Sequence, residues 1–135
     1  MPHIIVEYSG NLEAAVDVRA LIRTIHRAAL ATGIFEVAAV RTRAERRDVY
    51  EIADGNPDNI FVAITARIAP GRDEATRTRL GKALLDAANE VLAGLYASKP
   101  LAISIEVQEI TQVGAFRQNN LHERLKATAA AAAAR

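Results

Sequence analysis

Position two of this 135-residue chain is a proline, placed between Met1 and the run His3, Ile4, Ile5, Val6, Glu7, Tyr8. Methionine excision is usual when the next residue is small, and here it would expose a secondary amine held rigid by its own ring. An α-amine titrates near ~8, and burial or neighbouring cations push it down towards the pH at which a proton shuttle works best. Pro2 is therefore a candidate general base and acid. Without processing it is simply a residue lacking a ladder donor, suited to the first position of a strand. Arginine supplies the second kind of candidate. Gly71 and Arg72 precede a predicted helix, an arrangement that sets a guanidinium beside backbone donors and a dipole that favour an anion. Read blandly, Arg72 is a solvated side chain near a cap. Arg41 and Arg43 stand two apart on a predicted strand, so they share one face, with Val37 and Ala39 on the same side. Other chemistry is poorly supplied. His3, His26 and His122 are scattered without partners at metal-ligand spacing and read as surface or capping histidines. Glu7 is a lone acid on a strand, no serine sits in a nucleophile elbow, and no glycine-rich loop follows a strand to cradle phosphate.

The elements that must position these residues can be taken in order. Residues 3–8 alternate and branch like a strand, and Ser9, Gly10 and Asn11 close it with a polar turn. Val18, Leu21, Ile22, Ile25, Ala28 and Ala29 recur at helical spacing, which predicts a helix over about 17–31. Asp17 is its N-cap and Gly33 its stop, although an earlier start near Leu12 meets no breaker. Residues 34–43 read as a second strand parallel to the first, and the charge run 44–48 as a solvated loop. A short extended piece over 49–53 runs into the clearest turn of the chain, Asp54, Gly55, Asn56, Pro57 and Asp58. Residues 60–68 form the most continuously apolar strand, a pattern expected of burial on both sides. Asp73 caps a long helix over about 73–97, with Leu80, Leu84, Ala87, Ala88, Val91 and Leu95 in one stripe. Residues 101–110 alternate as the last strand. Two β-α-β units thus follow one another, and together they predict an α/β (α+β) fold with a four-stranded sheet covered by two helices on one face. A short helical turn at 121–126 and the alanine run 127–134 complete the chain. The expected division is a folded domain over 1–126 and a frayed or disordered alanine-rich extension over 127–135.

Composition sets outer limits. The length fits one domain, and with three Phe, three Tyr and no Trp the core must be built from Ala, Val, Ile and Leu. Lys and Arg number 17 against 16 Asp and Glu, a balance that argues against a nucleic-acid footprint. The absence of cysteine removes disulfide and thiolate chemistry and suits a reducing cytoplasm. No signal peptide or membrane span is expected, since no apolar run approaches ~20 residues. A strand buried on both sides needs a second cover, and no helix is left to provide it. A homo-oligomer follows from packing alone.

Five segments in register carry a family resemblance. They are PHIIVEYS at 2–9, ATGIF at 31–35 with the following strand and its Arg41 and Arg43, ADG at 53–55, the strand from Phe61 running to Gly71 and Arg72, and FRQNN at 116–120. Together they resemble the 5-carboxymethyl-2-hydroxymuconate isomerase family of the tautomerase superfamily, through about Lys126. The resemblance implies a homotrimer of tandem β-α-β repeats with no cofactor and no metal. It also implies an enzyme of aromatic-compound catabolism, homoprotocatechuate degradation in particular, acting on a dicarboxylate or tricarboxylate. Carried over by position, Pro2 becomes the proton carrier, and Arg41 and Arg72 become the groups that hold substrate carboxylates and spread the dienolate charge. Arg43 is the runner-up to Arg41, and Phe116 helps to wall the site. The roles cohere physically, because guanidinium groups grip carboxylates and also depress a nearby amine. Residues 44–50 are more charged than the family pattern and the alanine tail has no counterpart in it. Two alternatives therefore stay open: a tautomerase acting on another unsaturated acid, and a non-catalytic trimeric interaction module.

Overall fold

The structure is a computed structural model that describes residues 1–135. Its first strand, β1 (His3–Ser9), buries Ile4, Val6 and Tyr8 and turns His3, Ile5 and Glu7 to the opposite face. A short 3-10 turn, Gly10–Ala14, tucks Leu12 into the core and explains why the following helix does not begin there. The helix α1 (Val18–Ala31) starts where Asp17 caps it, its carboxylate accepting from the Arg19 and Ala20 amides at 3.0 and 3.2 Å. Leu21, Ile25 and Ala29 form its buried stripe. Gly33 then takes φ 70°, the left-handed conformation that ends a helix at little cost to glycine.

The second strand lies further along the chain than its apolar residues suggest. Residues 34–40 are a loop containing the 3-10 turn Val37–Ala39, and β2 (Arg41–Arg47) is made of the charge run expected to be a solvated loop. Arg41 and Arg43 therefore open this strand instead of closing one. β2 pairs with β1 in parallel, His3 opposite Arg41 and Ser9 opposite Arg47, with the Arg41 amide donating to the Pro2 carbonyl at 3.1 Å. It is an edge strand, where charge is tolerated and discourages pairing with other chains. No strand forms over 49–53; Ala53 at its end adopts φ 53°, which breaks extended pairing.

The third strand, β3 (Ile60–Ile68), is central, antiparallel to β1 and parallel to β4 (Leu101–Glu109), giving the order β2-β1-β3-β4. Its Ile60, Val62, Ile64, Ala66 and Ile68 are buried under the helices. The expected burial on both sides is not found within this chain, because Phe61, Ala63 and Thr65 on the other face are half-buried and Arg67 is exposed. Between these strands runs α2 (Glu74–Ser98), capped by Asp73, whose carboxylate accepts from the Thr76 amide at 2.8 Å. Its buried residues are Leu80, Leu84, Ala87, Ala88 and Leu92; Val91 and Leu95 only flank the core. All of these side chains join α1, β1 and β3 in one apolar cluster, so both helices cover the same sheet face. The alanine run continues the short turn expected at 121–126 into one helix, α3 (Leu121–Ala133), as alanine's propensity favours, although α3 buries no residue.

Candidate active site

At the head of β1, Pro2 is buried, and the chain start lines a cavity of about 330 Å³ with Ile34, Phe35, Glu36, Ala39, Ala69 and Arg72. The loop 34–40, which replaces the expected strand, provides half of that wall. Arg72 comes from the link between β3 and α2, where Gly71 takes φ 105°, a conformation closed in practice to other residues. Its guanidinium lies 5.0 Å from the centre of the Phe35 ring and reaches the Ala69 and Ile34 carbonyls only at 3.4 Å. A cation held over an aromatic face keeps its charge available. The helix end beside it is partly engaged. Asp73 occupies the Thr76 amide of the first turn of α2, and the Thr76 hydrogen bonds hold its carboxyl below the usual carboxylate range. An anion binding at this point meets the Arg72 guanidinium beside the amides of that turn which Asp73 leaves free.

Arg41 stands opposite His3 at the start of β2 and donates to the Ala39 carbonyl at 2.7 Å. Neither Arg41 nor Arg72 has a carboxylate partner. Their charge is felt at the chain start. Burial, then the cations of Arg117, Arg41 and Arg72, hold the Met1 amine below its ordinary value of 8.0. Arg43 behaves differently. Its guanidinium meets the His3 Nδ1 at 3.1 Å, and because arginine only donates, that nitrogen must be the unprotonated acceptor. Burial and the cations of Arg43, Arg41 and Arg67 likewise hold the His3 ring below its ordinary 6.5. Sequence could not part Arg41 from Arg43; the structure sets Arg41 towards the amine and Arg43 towards His3.

Phe116 does not line this cavity and is 95% exposed in the chain. The aromatic at the site is Phe35, which sequence reasoning passed over although it closes the ATGIF segment. Arg117 was passed over too, while its neighbour in FRQNN was singled out. The signal lay two residues on: Asn119 donates to the Ala38 carbonyl at 3.3 Å and caps the Leu121 amide at 2.8 Å. His122 adds a 3.2 Å contact with Glu36. These ties moor the segment carrying Arg117 to the loop that walls the cavity. A larger depression, about 760 Å³, runs along α2 over Glu74, Thr78, Arg79, Lys82 and Asp86. It is a groove on one helix face with nothing converging on it from the chain start, and the smaller cavity is where the chemistry gathers.

A rigid nitrogen at the start of a strand, inside a layer of two helices on a mixed four-stranded sheet, defines a tautomerase-type α+β protein. The same fold alone is shared with a fused 4-OT wild-type symmetric trimer, 17% identical over 87% of this chain and 92% of that one, at a TM-score of 0.65. The sequence profile of 5-carboxymethyl-2-hydroxymuconate isomerase matches residues 2–125, and the chain belongs to that isomerase family. It is 36% identical over 126 residues to the Escherichia coli 5-carboxymethyl-2-hydroxymuconate Delta-isomerase, covering 93% of this chain and all of that one. It also superposes on a 5-carboxymethyl-2-hydroxymuconate isomerase from Deinococcus radiodurans R1 with a TM-score of 0.85, at 32% identity over 92% of this chain and 93% of that one. No helix of the chain is long and apolar enough to cross a membrane.

Proposed function

We propose that this chain isomerises 5-carboxymethyl-2-hydroxymuconate, a tricarboxylate dienol, with the amine of a processed Pro2 as proton carrier. The neutral nitrogen takes the proton of the 2-hydroxyl, the O–H electrons become the new C=O bond, and the double bonds shift along the chain. The prolinium then returns the proton to a carbon of the conjugated chain, leaving the ketone and a neutral amine. Arg41 and Arg72 bind the terminal carboxylates and offset the charge that develops on the dienolate oxygen. Residues 1–126 suffice for this chemistry, and 127–135 are dispensable to it. The working form is a homotrimer, a reading supported by the trimer of the 4-OT relative and by the half-buried Phe61, Ala63 and Thr65 on the helix-free sheet face.

One observation carries the proposal. Two guanidinium groups without carboxylate partners act on the buried start of a chain that belongs to this isomerase family. The test is an ultraviolet assay following loss of the dienol band, on protein whose mass shows removal of one methionine. Activity should vanish when the same protein is acetylated at its amino terminus. Equal turnover by acetylated and free protein, or a fully retained methionine in an active preparation, would end the assignment of Pro2.

A further inference from the structure

The proposed substrate bears three carboxylates, whereas Arg41 and Arg72 account for two. Beside the cavity at the chain start lies a second of about 190 Å³, lined by Ala69, Pro70, Ile110, Gln112, Ala115 and Arg117. Ala69 belongs to both, so the two volumes meet across one small side chain in the link that also carries Arg72. No acidic residue lines this second volume. Its polar lining residues are Gln112 and Arg117, and Arg117 makes no ion pair within the chain. Glu36 lines the first cavity instead and is drawn to His122 at 3.2 Å, and Glu109, next to Ile110 in the chain, is paired with Arg77 at 3.3 Å.

Resting on the proposed activity, we infer that Arg117 and this second cavity form the subsite for a third carboxylate arm, and so select a tricarboxylate over a dicarboxylate. The placement is consistent in three respects. The cavity is large enough for a two-carbon acid arm, and it shares Ala69 with the cavity that Pro2 lines. The guanidinium is near enough to the chain start that its cation acts on the amine there more strongly than that of Arg41 or Arg72. The segment bearing it is not free, because Asn119 and His122 tie its far end to Ala38 and Glu36. An unpaired guanidinium in a moored segment gives a carboxylate a defined partner, and bidentate geometry makes arginine more selective than lysine for it.

The experiment compares 5-carboxymethyl-2-hydroxymuconate with 2-hydroxymuconate, which lacks the extra arm, on the full processed protein and its R117A and R117K variants. The preference for the tricarboxylate, as the ratio of kcat/KM values, should fall about 10- to 100-fold in R117A, mainly through KM, and recover in part in R117K. Equal losses on both substrates, or an unchanged ratio, would overturn the subsite. Calorimetric binding of the unreactive pair propane-1,2,3-tricarboxylate and glutarate separates this inference from the activity beneath it. If the parent turns over neither dienol yet R117A selectively loses the tricarboxylate, the isomerase reading fails and the subsite stands. Turnover by the parent with no change of preference in either assay leaves the isomerase standing and removes the subsite.

Discussion

Strand β2 carries four arginines in seven residues, and its two ends treat them in opposite ways. At the far end Arg46 meets Glu13 and, at 2.7 Å, Asp48, while Arg47 meets Glu7 and Glu45, each at 2.7 Å. These hydrogen-bonded acids raise both guanidinium pKa values above their ordinary level. At the near end Arg41 has only the Ala39 carbonyl and Arg43 only the His3 ring. The residue type is constant, so what differs is the supply of acid. Neutralised arginines hold an edge strand in place and have nothing left to offer a substrate. Cations left without acids depress the amine and draw in anions.

The largest expected effect removes the group on which the unpaired end acts. Pro2→Ala replaces a rigid secondary amine by a mobile primary one, and kcat should fall by about 10²- to 10⁴-fold, the usual weight of a positioned proton carrier. Steady-state kinetics on protein of verified mass and unchanged circular dichroism checks it. Next come the cations themselves. Arg41→Ala and Arg72→Ala should each lower kcat/KM by roughly 10- to 100-fold, as loss of a charge-assisted hydrogen bond does. Arg43→Ala, acting on His3 instead, should cost much less. If Arg43→Ala proves as damaging as Arg41→Ala, the separation of the two arginines fails.

A third prediction erases the contrast by supplying the missing acid. Ala39 lines the cavity and its carbonyl already accepts from Arg41, so Ala39→Glu sets a carboxylate beside that guanidinium. The sign follows from the charges. Burial and then the cations of Arg117, Arg41 and Arg72 hold the Met1 amine below 8.0, and a Pro2 amine exposed in its place meets the same cations; a carboxylate that offsets one of them lets the amine pKa rise. The neutral base then forms only at higher pH, and the acidic limb of the kcat/KM profile should move to the alkaline side in both Ala39→Glu and Arg41→Ala. A limb that stays in place in both variants would mean that Arg41 does not tune the base.

The same contrast marks what the sequence could express. β1, β4 and both long helices were legible because their apolar periods are local, and β3 because its apolar run is continuous, although that run overstated its burial. β2 was not, because its apolar-looking neighbour 34–40 is the loop that walls the cavity, while the strand owes its form to partners 38 residues away in β1. Strand preference is mostly context of this kind. In the site, the chain order that brings Pro2, Arg41 and Arg72 together could be read from motif positions. Phe35 and Arg117 could not, since each depends on how a loop closes: one beneath the Arg72 guanidinium, the other through Asn119 and His122. For α3, alanine propensity carries the helix on to Ala133 although none of its residues is buried.

The smallest effects belong to the neutralised end, and their ranking tests whether it is purely structural. Arg46→Ala and Arg47→Ala should leave kcat/KM within about twofold of the parent, as surface changes away from a site do. Any loss of thermal stability should be small and should shrink further with added salt, because these pairs are exposed and screened. Glu13→Ala should be the more costly change on this network. The Tyr8 hydroxyl donates to Glu13 at 2.6 Å from a ring that is only 4% exposed, and burial followed by Glu13 pushes its pKa up to about 12. Removing the acid strands a buried donor, at roughly 1 kcal/mol, whereas removing Arg46 leaves that bond intact. Chemical denaturation of the two variants orders them. Were Arg46→Ala the more destabilising, the guanidinium and not the Tyr8 bond would be holding this end of the strand, and the acid would be there for the arginine alone.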